Sequence, residues 1–154
     1  MGLISTIMKK DFDNWNVKKQ QLDALTHRPP HVSEWDLWGA SIGENIGSEV
    51  GGKSTLFSRP VIIFHKLAHS FYFVIPTTTK LHEGSWYVSL RHRGTEMVGS
   101  LHQARATDHR RLSTKLGQLD DSDVAKLREG FRKLYVENNI PHQRRGRGKI
   151  PNVN

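Results

Sequence analysis

From Glu34 onward the chain is a succession of short apolar and aromatic runs: EWDLWGA, RPVIIFHKL, SFYFVIPTT, SWYVSL, EMVGSLHQA and STKLGQL. Each is bounded by Gly, Ser, His or charged residues. Runs of this length, rich in β-branched and aromatic side chains, read as β-strands. No helical pattern separates them. Parallel neighbours need long crossover connections, usually helical, so five or six short strands in this order predict an antiparallel sheet, and a small barrel is the compact way to bury it.

Helices are expected only at the two ends. Between Asp11 and Leu25, the residues Phe12, Trp15, Leu22 and Leu25 recur at spacings of three and seven, which places them on one helical face behind Asp11 or Asp13 as cap. The segment THRPPH breaks that helix, because its paired prolines lack donors and force the preceding residues extended. A closing helix is predicted from Ser122 to Asn138, with Val124, Leu127, Phe131, Leu134 and Tyr135 as its stripe and Asp121 and Ser122 as its caps. The remainder, NIPHQRRGRGKIPNVN, is polar and unpatterned and reads as a disordered tail.

With 154 residues there is room for one hydrophobic core and not for two ordinary domains. The absence of cysteine excludes disulfides, thiol nucleophiles and thiolate metal sites together. No apolar run nears the roughly 20 residues of a membrane-spanning helix, and MGLISTIMKKDFD has too little apolar length for a signal peptide. A cytoplasmic protein without a membrane partner is expected. The net charge of +8 favours an anionic partner, nucleic acid first, although Arg144, Arg145, Arg147 and Lys149 place half of that excess in the tail.

Two motifs invite other chemistry. Gly47-Ser-Glu-Val-Gly-Gly-Lys53-Ser54 satisfies the phosphate-loop pattern, but that motif works only between a strand and a helix whose N-terminus faces the phosphates. The chain continues instead as TLFSRPVIIF, loop and then strand, so nucleotide binding is not expected. His65 and His69 have the i, i+4 spacing of zinc ligands on a helix, yet Lys66 stands where a metalloprotease carries its glutamate, and the segment reads as strand. Neither a metal nor a cofactor is expected.

Four further signals occur in a fixed order. They are WDLWGASIGENIGSEVGG, then SRPVIIF, then VIPTTTK, then SLHQARATDHRRL. In that order they resemble, respectively, the opening strand and G-S-E-x-G-G loop, the R-P-V strand, the strand ending in threonine and the D-x-x-R-L segment of the MazF/PemK toxins. The resemblance covers about two thirds of the chain, from Glu34 to about Tyr135. It implies a small SH3-like antiparallel barrel with an N-terminal and a C-terminal helix, in three parts: an extension over residues 1–31, a toxin domain over 32–138 and a basic tail over 139–154.

The resemblance also implies the toxin of a type II toxin–antitoxin system, a homodimer that cleaves single-stranded RNA at a short sequence without a metal and is held in check by a cognate antitoxin. The implied catalytic pair is Arg59, from the R-P-V strand, and Thr78, with Thr77 or Thr79 possible because three threonines adjoin. Gly47, Ser48, Glu49, Lys53, Thr77, Thr79, Lys80, Gln103 and Arg105 form the implied RNA-binding set. Attack by the RNA's own 2′-hydroxyl requires only proton transfer and stabilisation of negative charge, and arginine's planar fork suits the second task.

The sequence departs from the family twice. His102 stands where some members carry aspartate, and as a residue type that titrates near neutrality it is a candidate general base or acid. Six residues, Lys53 to Ser58, separate Gly52 from Arg59 where shorter members have a single residue. The alternative reading is a non-catalytic barrel that binds nucleic acid or inhibits DNA gyrase.

Overall fold

A computed structural model describes residues 9–137. It is a mainly β protein, an antiparallel sheet with two helices. Helix α1 (Phe12–Asp23) is followed by β1 (Asp36–Ser41), β2 (Ser58–Ala68), β3 (Phe71–Thr78), β4 (Tyr87–His92), β5 (Thr95–Ser100), β6 (Arg105–Asp108), β7 (Leu112–Gln118) and α2 (Asp121–Phe131).

The strands run in the order β4-β5-β3-β2-β1-β7, and β6 pairs with β3 off this path. Strand β3 serves two partners: Phe71 to Val74 pair with β6, and Thr77 and Thr78 pair with β5. The expected barrel is not closed by backbone pairing, because no ladder joins β4 to β7 among the described residues. A side chain spans that seam instead, with the His92 ring nitrogen Nε2 3.2 Å from the Leu116 carbonyl.

Val61, Ile62 and Ile63 in β2 are all fully buried, so the continuous apolar run serves both faces of the sheet. Val61 and Ile63 join Trp38, Tyr72 and Val74 on one side. Ile62 joins Leu37, Ile75, Leu101 and Leu127 on the other, where α2 covers the sheet. Asp120 caps α2 by accepting the Asp123 amide at 2.9 Å, one residue earlier than the sequence pattern places the cap. The helix ends at Phe131, and a π-helical turn carries the chain through Arg132–Val136. The predicted end at Asn138 and the tail lie outside the described residues.

Helix α1 differs from its predicted stripe. Trp15 alone is buried, whereas Phe12 is exposed, Leu22 is half-buried and Leu25 lies beyond the helix and exposed. Asp11 is the cap, accepting from the Asn14 amide at 3.2 Å. Trp15 anchors the helix on the loop between β1 and β2: its ring packs on Phe57 at 5.5 Å between centroids, and the Arg111 guanidinium lies 5.6 Å from the ring centroid. Gly43, at φ +91°, lies so close beneath the indole that a Cβ there would stand 2.2 Å from it.

Candidate active site

The long connection between β1 and β2 is tied down at several points. The Gly52 amide donates to the Gly43 carbonyl at 2.8 Å, and the Lys53 and Ser58 backbones pair with each other at 2.9 and 3.0 Å. A Cβ on Gly52 would fall 1.8 Å from the Phe57 carbonyl oxygen, so only glycine fits. Substitution Gly52→Ala is expected to destabilise the fold by about 1–3 kcal/mol through overpacking against backbone, read as a lower midpoint in chemical denaturation. An unchanged midpoint would show that the loop can give way.

The Gln103 side chain pins the middle of this loop. Its Oε1 accepts from the Val50 amide at 3.0 Å, and its Nε2 donates to the Ser48 carbonyl at 3.0 Å. Gln103 and His102 lie in a single 3₁₀ turn, Leu101–Gln103, that succeeds β5. The loop follows β1 but lacks the helix after it that a phosphate loop requires, since the chain runs from Lys53 through a tight turn into β2. His65 and His69 lie at the far end of β2 and beyond it, with His65 Nδ1 2.8 Å from Glu34. Among the described residues no group of three or more His, Cys, Asp or Glu side chains is placed to hold a metal ion.

Arg59 enters from β2, half-buried. Its Nε donates to the Gly51 carbonyl at 2.8 Å and one terminal nitrogen to the Thr77 carbonyl at 3.2 Å, so the guanidinium joins loop, β2 and β3. Burial holds its pKa below the usual arginine value, which leaves it charged at neutral pH. The three adjoining threonines have different environments. Thr77 is buried and its hydroxyl donates to the Pro60 carbonyl at 3.0 Å. Thr78 is half-buried, with its hydroxyl accepting from the Lys80 amide at 3.1 Å, and Thr79 is exposed.

Two cavities meet at Arg59, Thr78 and Lys53, which line both. One, of about 310 Å³, is walled also by Ser48, Lys80, Gln103 and His102, together with His82, Tyr87 and Ser100. The other, of about 480 Å³, holds Thr77 and Thr79 beside His92, Arg93, Met97 and Leu116. The structure therefore brings Arg59, Thr78, His102, Ser48, Lys53, Lys80 and Gln103 to one wall. Gly47, Glu49 and Arg105 line neither cavity. The Glu49 carboxylate accepts from the Ile46 amide at 3.0 Å and so stiffens the loop tip, and Arg105 is in β6, paired with Val74.

The sequence reading did not single out His82, Trp86 and Tyr87. His82 stacks on Tyr87 with centroids 4.8 Å apart, and Trp86 stacks on His102 at 4.9 Å. For Trp86 and Tyr87 the signal was the SWY cluster, which has the composition of a buried strand, and His82 carried none. The His102 Nδ1 is buried and has no hydrogen-bond partner among the described residues.

The family profile described as PemK-like, MazF-like toxin of type II toxin–antitoxin system matches residues 34–135. No protein of curated function matches the chain. Among solved structures, MazF (Form-I) from Deinococcus radiodurans is similar at TM-score 0.56 and 20% identity, covering 68% of this chain and 97% of its own. An endoribonuclease in complex with its cognate antitoxin from Mycobacterial species is similar at TM-score 0.53 and 10% identity, over 67% of this chain and 93% of its own. MazE-MazF (Form-II) from Deinococcus radiodurans gives TM-score 0.50 and 18% identity, over 68% and 96%. At these identities the structures establish the fold, and the profile spans most of the described residues: the chain belongs to the PemK-like, MazF-like toxins of type II toxin–antitoxin systems.

Proposed function

We propose that this toxin is an endoribonuclease that cuts single-stranded RNA at a short sequence by attack of the 2′-hydroxyl on the adjacent phosphate. The observation that carries the reading is the meeting of Arg59, Thr78, Lys80 and His102 on one cavity wall. A structural relative is itself an endoribonuclease. Residues 32–138 form the catalytic unit in this reading, with 1–31 as an extension and 139–154 as a basic tail.

In the substrate-free chain Arg59 uses Nε and one terminal nitrogen to hold two carbonyls. Its other terminal nitrogen is left to grip the non-bridging phosphoryl oxygens, where charge builds as the pentacoordinate transition state forms. Thr78 accepts from the Lys80 amide, so its own proton is available to donate to the same phosphate. Lys53 and Lys80 add positive potential along the strand's path.

The 2′-oxygen bonds to phosphorus as its proton passes to a base, and the P–O5′ bond breaks as the leaving oxygen takes up a proton. His102 is assigned one of these transfers, as general base or general acid, and water completes the other. The enclosed Nδ1 faces no partner, so the transfer is assigned to the other ring nitrogen, Nε2. The products are a 2′,3′-cyclic phosphate and a 5′-hydroxyl. These steps draw on no metal, so cleavage should persist in a chelator, and mass spectrometry of the fragments should find cyclic-phosphate ends. Intact RNA under these conditions overturns the reading.

One structural relative was solved in complex with its cognate antitoxin; a cognate antitoxin is the inhibitor expected here, and a homodimer in the cytoplasm is the expected working form. No helix among the described residues is long and apolar enough to cross a membrane.

A further inference from the structure

Trp86 is in the wrong place for a core residue. Trp15 and Trp38 are each 7% exposed, whereas Trp86 is 53% exposed in the turn just before β4. Its position is fixed all the same. The Trp86 carbonyl accepts from the Leu101 amide at 2.8 Å, and the next residue, Tyr87, pairs with Ser100. This register sets the indole over the turn after β5, where it lies nearly parallel to the His102 ring, at 26° with centroids 4.9 Å apart. Tyr87 meets the same imidazole edge-on at 5.2 Å, and its own face is covered by His82.

Three of these four rings also wall the cavity that holds Arg59, Thr78 and Lys80. An exposed, prepositioned indole beside a cationic phosphate site has the make-up of single-strand nucleic-acid recognition, in which bases stack on aromatic faces while the backbone follows the charge. A side chain already stacked also loses little conformational freedom when a base arrives. A protein partner would be expected to bury the indole against apolar neighbours, but the adjoining wall is basic and polar, with Arg59, Lys53 and Lys80.

We infer that Trp86, backed by His102, is a stacking platform for an unpaired base next to the scissile phosphate, and that the stack fixes the register of the strand in the cleft. The inference rests on the ribonuclease reading for its substrate class, but it is tested by binding alone. The probe is a single-stranded oligonucleotide 2′-deoxy at every position, which lacks the attacking hydroxyl, alongside an abasic strand of equal length and charge.

The base-bearing strand should quench tryptophan fluorescence, chiefly from Trp86, and the abasic strand should not. Trp86→Ala should remove the quench and weaken binding roughly 5- to 150-fold, the range that loss of one base stack implies. Trp86→Phe should retain most of the affinity. Equal binding by wild type and Trp86→Ala overturns the inference, as does equal quenching by the abasic strand. Absence of quenching by any strand also overturns it and leaves the ledge to a protein partner. If the strand quenches but RNA is never cut, the catalytic assignment fails and the platform stands; if RNA is cut and Trp86→Ala binds normally, the reverse holds.

Discussion

Arg59→Ala is expected to slow RNA cleavage by about 10²- to 10³-fold, the typical loss when one prearranged donor to a developing oxyanion is removed. Arg59→Lys should recover only part of this. A lysine offers a point charge, and it cannot hold the Gly51 and Thr77 carbonyls while also presenting a second edge to phosphate. The guanidinium is also a strut, so the variant has to be compared with wild type well below its unfolding midpoint, with circular dichroism confirming that both are folded. Cleavage by Arg59→Ala within about threefold of wild type, at that temperature, would remove Arg59 from the centre of the site.

Trp15→Ala carries the largest expected loss of stability, roughly 3–5 kcal/mol, because a buried indole leaves a cavity between α1 and the β1–β2 loop. For a chain of this size the melting temperature should fall by about 10 °C or more. The loop it supports carries Ser48 and Lys53 into the cleft, so cleavage measured on the folded variant should fall as well. Lys10 reinforces the same contact, donating to the Asn45 carbonyl and, at 3.1 Å, to that of Gly47. A melting temperature within two or three degrees of wild type would show that α1 rides on the domain without supporting it.

The strands were legible because β-branched and aromatic runs announce themselves wherever one or both faces are buried, as Val61, Ile62 and Ile63 show. Strand β6 was not legible. Arg-Ala-Thr-Asp has no apolar alternation, and its strand geometry comes from pairing with Phe71 to Val74, residues more than thirty positions earlier. Spacing alone gave α1 a broad apolar face, but only Trp15 found a partner, since the helix lies on a loop instead of the sheet.

The placement of Arg59 on the cavity wall was readable from its local context, whereas the different environments of Thr77, Thr78 and Thr79 were not. Neighbouring strand residues face opposite sides, and only register decides which hydroxyl is spent on Pro60 and which opens on the cleft. Trp86 and Tyr87 were hidden by their composition, because a sequence does not distinguish an aromatic that fills a core from one that waits on its surface.

Connections between strands are ordinarily where a protein's descendants diverge most freely. Here Gln103 grips the β1–β2 loop at Ser48 and Val50 while its neighbour His102 faces the cleft, and Arg59 grips the same loop at Gly51. A change in the loop's middle therefore moves the residues assigned to chemistry, and inheritance can treat neither alone. Room to diversify is left at the loop's two tips, around Ile46 and Leu56, whose side chains stand in solvent. Variation among relatives is expected to collect there, at the margin of the cleft, with its centre locked.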